Sequence, residues 1–239
     1  MEKAERLPKV AVITGASKGI GAGLVEAYRG VGYAVVAASR TVAASDEADL
    51  LTVQGDVADP RAAERIVAAA LDRYGRIDTL VNNAGLFVGK SFTEYTQADY
   101  DAVTAVNLGG FFHITQFAVR HMLTRGGGHI VQITSSLVDH ARSAAPALLA
   151  SLTKGGLQAA TKGLAIEYAA HGIRVNAVSL GVIKTFLNAD ADNDALARLH
   201  PLGRIGEIRD VVDAVLFLEN APFITGEILH VDGGQSAGH

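Results

Sequence analysis

The stretch VAVITGASKGIG, residues 10–21, constrains this chain more than any other part of its sequence. A short apolar run rich in β-branched residues passes directly into Thr14-Gly15-Ala16-Ser17-Lys18-Gly19-Ile20-Gly21, and a helical pattern follows near 20–30. Glycines permit a tight turn there and let an anionic group approach the backbone N–H groups at the helix N-terminus. The placement, after a first strand and before a helix, separates this from an ordinary strand–helix turn. A chain that begins in this way is committed to alternating strands and helices.

The rest of the sequence keeps that alternation. Strands are expected at Lys9–Thr14, Ala34–Ser39, Leu51–Gln54, Thr79–Asn82, His129–Thr134, Arg174–Ser179 and Ile228–Val231. They are rich in Val and Ile and do not alternate, the pattern of strands covered on both faces. Helices are expected near 20–30, 60–74, 98–124, 147–171 and 207–219, with Asp59 as N-cap and Pro60 at the first position of the second. Between Arg40 and Leu50 the chain offers only TVAASDEAD, little more than two turns of helix if helical at all. No internal repeat, low-complexity segment or linker divides residues 1–239, so one domain is expected. The architecture is α/β: a doubly wound, seven-stranded parallel sheet with helices on both faces, joined by right-handed crossovers.

Composition enters by exclusion. The net charge of −4 and the absence of a long charge run argue against a nucleic-acid or anionic-membrane surface. With no cysteine, thiolate metal sites, disulfides and cysteine nucleophiles are excluded, and the eight histidines show no metal-ligand spacing. The apolar run near the N-terminus is too short for a signal or membrane segment, and the cytoplasm is the expected compartment.

The spacing TGxxxGxG, rather than GxGxxG, resembles the short-chain dehydrogenase/reductase family. Further matches follow in order: Gly55-Asp56-Val57, Asn82-Asn83-Ala84-Gly85, Val106-Asn107-Leu108, Thr134-Ser135-Ser136, Gly172-Ile173-Arg174-Val175-Asn176, and Ile224-Thr225-Gly226 through Val231-Asp232-Gly233-Gly234. The resemblance implies a dinucleotide-binding Rossmann fold and a role for each matching position. Gly15, Ser17, Lys18, Gly19, Ile20 and Gly21 would form the phosphate loop. Asp56 and Val57 would meet the adenine, and Asn83, Ala84 and Gly85 would line the adenosine ribose side. Lys154, expected at the nicotinamide ribose rather than as a plain helix-surface lysine, completes the cofactor set with Gly181, Ile183 and Thr185, and residues 186–200 stand where the family keeps a mobile substrate lid. Asp232 and its glycines read as structural or subunit contacts; Asn82 is either strand-end scaffold or a direct participant.

The residue closing the second strand discriminates between cofactors. An acid there accepts the ribose 2′-hydroxyl of NAD, whereas an arginine suits the 2′-phosphate of NADP. Here the strand ends in Ser39-Arg40 with no acid before Asp46, and Lys18 adds a second positive charge. NADP(H) is expected, with NAD(H) the less favoured cofactor. A solvent-facing arginine is the plain alternative reading of Arg40.

Members of the family place a tyrosine four residues before the catalytic lysine, which stacks both on one helix face. The lysine charge lowers the phenol pKa, a serine holds the substrate oxygen and an asparagine supports a water relay. The resemblance fills three of these positions with Asn107, Ser135 and Lys154; Ser136 is the runner-up serine, and Asn107 reads equally as a helix-bend residue. The tyrosine position holds Ala150, and no YxxxK occurs anywhere in the chain. About two extra residues between Ser135 and Ala150, and Leu180-Gly181 in place of the family's Pro-Gly, also mark this pocket.

Three functions stay open at this point. The first is an NADP(H)-dependent reductase or dehydrogenase acting on a carbonyl or alcohol, with a substitute proton route through Ser135 and a Lys154-activated water, Ser151 or His140. The second is a non-catalytic NADP(H)-binding sensor or partner subunit. The third is non-redox chemistry in the same pocket. A bulky apolar ketone is the substrate the enlarged pocket suggests. Apolar residues on the helices near 98–124 and 147–171 resemble the family's dimer faces, and the C-terminal glycine segment suggests a homotetramer.

Overall fold

Seven strands form in the order the apolar runs predict, and all pair in parallel. They are β1 (Val10–Thr14), β2 (Ala34–Ser39), β3 (Leu50–Gln54), β4 (Thr79–Asn82), β5 (Gly128–Ser135), β6 (Ile173–Leu180) and β7 (Ile228–Val231). The structure is a computed structural model that describes residues 8–142, 146–186 and 192–238. Its single sheet has the order β3-β2-β1-β4-β5-β6-β7. The order reverses between β1 and β4, which opens a crevice at their carboxyl ends.

Helices α1 (Gly19–Gly30) and α7 (Ile208–Asn220) cover one face. The other carries α2 (Pro60–Tyr74), α4 (Gly110–Arg125) and α5 (Leu148–Tyr168), with α3 (Gln97–Thr104) leading into α4 and α6 (Asn193–Ala197) short. This two-sided cover explains the uninterrupted apolar strands. Val10, Val12 and Val36 point into one core with Ile66, Ile114 and Met122, while Ala11, Ile13 and Val35 point into the other with Leu24, Tyr28 and Val215. A strand buried on both faces has no polar alternation to display.

Local signals account for most boundaries. Asp59 caps α2 by accepting the Arg61 N–H at 3.0 Å, Pro60 follows it, and Gly75 ends the helix at φ +71°. No helix forms in residues 40–49, so β2 and β3 are joined by an irregular connection. The helix expected near 98–124 is interrupted: Ala105–Gly109 forms a π-helical turn between α3 and α4. The whole run Gln97–Arg125 is long and apolar enough to cross a membrane by length and composition. Its Val103, Ile114, Ala118, Val119 and Met122 are buried within the protein, which accounts for much of that apolarity.

Candidate active site

The phosphate loop is built by close packing between the ends of β1 and β4. Thr14 Oγ1 accepts the Asn83 and Ala84 N–H groups at 3.1 and 3.0 Å and donates to Val81 O. Asn83 Nδ2 donates to the carbonyls of Thr14 and Gly15 at 2.9 and 3.2 Å. The expected residues Gly15, Asn83 and Ala84 are therefore one unit, and the sequence reading missed Thr14, its hub. Gly15 and Gly19 have φ +64° and +59°, and a Cβ on Gly21 would stand 2.2 Å from Gly15 O. Only glycine fits such an approach.

No side chain caps α1, so the N–H groups of its first turn face the loop without a side-chain acceptor, the arrangement that suits an anion. Lys18 Nζ lies 3.5 Å above the centre of the Phe186 ring, and Phe186 and Thr185 flank Gly19. The remainder of the expected lid, 187–191, lies outside the described residues; α6 occupies its later part. Ile20 packs against the core beneath the loop.

At the end of β2, hydroxyls cluster. Ser39 Oγ donates to Ser17 Oγ at 2.9 Å, and Thr41 Oγ1 lies 3.3 Å from the same oxygen. Beside them the Arg40 side chain is 75% exposed, with its guanidinium 4.0 Å from Asp56. Three clustered hydroxyls, with a solvated guanidinium on the next residue of the chain after Ser39, are a donor set for a phosphate. Thr41 is a second member the sequence reading missed. Val57 is buried against Gly110, where a Cβ would meet Val57 Cγ2 at 2.7 Å.

The reaction centre is assembled from β5, α5 and the π-helical turn. Asn107 sits in that turn and clamps the strand leaving β4: its Oδ1 accepts Leu86 N–H at 2.8 Å, and its Nδ2 donates to Leu86 O at 3.0 Å. Nδ2 also donates to Thr153 Oγ1 at 3.0 Å, which ties the bend to α5. The bend role considered for Asn107 is the one these bonds show. A Cβ on Gly85 would lie 3.2 Å from Lys154 Nζ and 3.6 Å from Asn107 Oδ1, so these three residues bound one small space.

Lys154 Nζ donates to Ile133 O at 2.7 Å. Burial alone pushes its pKa down to about 8. The two serines separate cleanly. Ser136 is buried and its hydroxyl donates to Gln235 Oε1 at 3.1 Å. Ser135 is less enclosed, and among the described residues its Oγ accepts the Leu137 N–H at 3.3 Å. Ser151 is turned away, donating to Leu137 O at 3.0 Å. Ala150 is buried one turn before Lys154 on the same face of α5.

At the other wall, β6 runs through Leu180 in register with Ser135 and Val231. Gly181 follows because nothing larger fits: a Cβ would stand 2.7 Å from His200 Nε2 and 2.9 Å from Asp232 Cα. Ile183 is buried and bridges to Gly206. Asp232 accepts the N–H groups of Gly234 and Ser236, and Asn82 donates to Thr115 Oγ1 at 2.9 Å; both side chains are engaged in scaffold bonds.

Residues 15–236 match the family described as enoyl-(acyl carrier protein) reductase. The chain belongs to the short-chain dehydrogenase/reductase family. It is 34% identical over 241 residues to 2-dehydro-3-deoxy-D-gluconate 5-dehydrogenase of Bacillus subtilis, covering 95% of this chain and 94% of that protein. It is 37% identical over 236 residues to bovine L-xylulose reductase, covering 94% and 95% of the two. Among solved structures, gluconate 5-dehydrogenase of Burkholderia cenocepacia, in complex with NADP and tartrate, superposes with a TM-score of 0.90 at 32% identity over 98% of each chain. A 3-ketoacyl-(acyl-carrier-protein) reductase of Brucella melitensis, complexed with NADH, superposes with 0.89 at 31% identity, covering 97% of this chain and all of that one. Short-chain oxidoreductases of this fold thus appear with either nicotinamide cofactor, and local chemistry at the end of β2 has to discriminate.

Proposed function

We propose that this chain is an NADP(H)-dependent oxidoreductase that interconverts a carbonyl and an alcohol, with a proton donor other than the family's tyrosine. The observation that carries the reading is the phosphate-binding donor set at the end of β2, joined to a reaction centre that retains Asn107, Ser135 and Lys154. Arg40 and the hydroxyls of Ser17, Ser39 and Thr41 suit a ribose 2′-phosphate; β2 closes on Ser39-Arg40 rather than on an acid, and the Asp56 carboxylate stands 4.0 Å from the Arg40 guanidinium. The first turn of α1 takes the pyrophosphate, Asp56 and Val57 the adenine, and Asn83, Ala84 and Gly85 the adjoining ribose. Gly181, Ile183 and Thr185 complete the nicotinamide end. NADP-bound relatives of the same fold support the assignment.

The cofactor supplies a hydride. Ser135 holds the substrate oxygen and stabilises the charge that develops on it; Asn107 fixes the backbone at Leu86 and the α5 helix at Thr153. Ala150 has no ionisable group, so its methyl side chain contributes space and no proton. The chain assembles as a homo-oligomer on this reading, supported by the exposed Phe112 on α4 and the exposed Leu148, Leu152 and Ile166 on α5.

The test is titration of the purified protein with NADPH and NADH, followed by NADPH oxidation over a panel of ketones that includes keto-sugar acids and pentuloses. NADPH should bind at least tenfold tighter than NADH, and Arg40→Ala should remove most of that preference, since charge-assisted bonds to phosphate contribute about 1.5–3 kcal/mol. Tight binding with no turnover on any substrate, unchanged in Ala150→Tyr, would refute the oxidoreductase reading.

A further inference from the structure

We infer that the Lys154 side chain is itself the acid that delivers the proton to the substrate oxygen, the duty a phenol at position 150 has elsewhere in the family. The inference rests on the carbonyl-reduction reading above and follows from which groups around the reaction centre have a proton to give.

The hydroxyls are largely committed. Ser136 donates to Gln235, Ser151 to Leu137 O, and Thr153 to Leu149 O at 2.7 Å while accepting from Asn107. Ser135 can hold the substrate oxygen, but an alcohol does not ionise near neutrality and needs a proton source behind it. The His140 backbone N–H donates to Ser136 O, and among the described residues no bond links its imidazole to Ser135 or Lys154. Lys154 is different. It lies on the same face of α5 as Ala150, one turn later, and donates to the backbone carbonyl of Ile133, two residues before Ser135 in β5. One of its three protons is used there, leaving two. Any side chain at position 85 would crowd Nζ to 3.2 Å, so Gly85 keeps the ammonium approachable.

The electrostatics agree with the geometry. No carboxylate, guanidinium or imidazole shifts Lys154; burial alone lowers it to about 8, close to the pH at which a general acid works best. Behind a tyrosine, such a lysine serves the phenol. Alanine at 150 leaves open the space a phenol would fill, and on this inference one water there bridges Nζ and the substrate oxygen. In the reduction the carbonyl carbon receives the hydride, the C=O π electrons move to oxygen, and that oxygen takes a proton from the Lys154 ammonium through the water. The neutral amine is then reprotonated from solvent. Reduction therefore needs the charged form and slows as pH rises through the Lys154 pKa. The reverse oxidation needs the free amine and accelerates through the same pH.

The experiment has two readouts. In cofactor-free protein labelled with 13C,15N-lysine, the Lys154 resonance, assigned by its loss in Lys154→Met, should titrate with a midpoint of about 8. In turnover, kcat for reduction should fall about tenfold per pH unit above that midpoint, with the opposite limb for alcohol oxidation. Lys154→Met should lower kcat by roughly 100-fold or more and lose both limbs. Small primary amines added to it should restore rate in proportion to their own basicity, which a lost cofactor contact would not produce. Lys154→Arg keeps a cation for the ribose but cannot release a proton in this range, so its limbs should move beyond the measured pH. A midpoint above 10, limbs that persist unshifted in Lys154→Arg, or limbs abolished by His140→Gln would overturn the assignment. Absence of NADPH oxidation in the unaltered protein would strike the oxidoreductase reading and this inference together; oxidation with Lys154-independent limbs would strike the inference alone.

Discussion

Glu219, near the C-terminal end of α7, offers a quantitative test of what holds the two sides of the sheet together. Its carboxylate is 7% exposed and accepts four bonds: from Tyr28 Oη at 3.1 Å, Tyr33 Oη at 2.9 Å, Thr79 Oγ1 at 3.0 Å and His129 Nδ1 at 2.9 Å. The histidine is neutral by geometry. Asn176 Oδ1 accepts the Glu227 N–H, which turns its Nδ2 toward His129 Nε2 at 3.2 Å, so that nitrogen is an acceptor and the ring proton is on Nδ1. Burial keeps the His129 pKa below its ordinary value, in agreement. For Glu219, burial would raise the pKa, but the bond from His129 and the charge His129 carries once protonated at acid pH, together with the bonds from Tyr33 and Thr79, outweigh it and hold the carboxyl at about 2, against an ordinary 4.5. At 1.36 kcal/mol per pH unit, that gap is worth roughly 3 kcal/mol. Because the folded value is depressed, this stability is fully present above about pH 4.5 and is lost as pH falls toward 2. Glu219→Gln should therefore cost about 3 kcal/mol at neutral pH, a fall in Tm of roughly 6–12 °C for a chain of this size. It should also flatten the acid side of the stability profile. Urea unfolding at fixed protein concentration from pH 3 to 7, followed by circular dichroism, measures both. A variant with an unchanged midpoint at pH 7 and the same slope between pH 3 and 5 would refute the reasoning.

Two further outcomes follow from the site. Ser135→Ala should lower kcat by about 10²-fold with little change in Tm, whereas Ser136→Ala should leave kcat within a few-fold and lower Tm by breaking the buried bond to Gln235; the reverse pattern in steady-state kinetics and thermal melts would exchange their roles. Gly181→Ala should destabilise by about 1–3 kcal/mol and weaken NADPH binding, because the added methyl meets His200 Nε2 at 2.7 Å and the backbone of Asp232 at 2.9 Å. Unaltered melting and affinity would show that the β6 end can shift to admit it.

The strand positions were legible because the central strands are buried on both faces and so appear as short runs rich in Val, Ile and Ala; the edge strands β3 and β7 are only partly buried. Ala34–Ser39, Thr79–Asn82 and Ile228–Val231 match the expected bounds, and the others differ by one residue at one or both ends. The phosphate loop was legible because its glycines are demanded by backbone conformation and contact, constraints that act on the residue itself. What the sequence concealed depends on partners far along the chain. The π-helical turn at Ala105–Gly109 has no compositional mark; Asn107 matters there through bonds to Leu86 and Thr153, 21 and 46 residues away. Glu219 looks like an ordinary helix-end acid until Tyr28, Thr79 and His129 converge on it from 191, 140 and 90 residues away.

The same division holds at the reaction centre. The sequence alone determined that position 150 has no proton to give, since no fold can make an alanine acidic, and that a lysine stands one helical turn later. It left Ser135 and Ser136 as alternatives and offered Ser151 as a substitute. Only the tertiary structure distinguishes their surroundings: a hydroxyl's chemistry depends on where its hydrogen bond goes, and Gln235 occupies Ser136 while Leu137 O occupies Ser151. Lys154 acquires its lowered pKa in the same way, from the protein packed around it, because charge is penalised by burial and burial is a property of the folded chain.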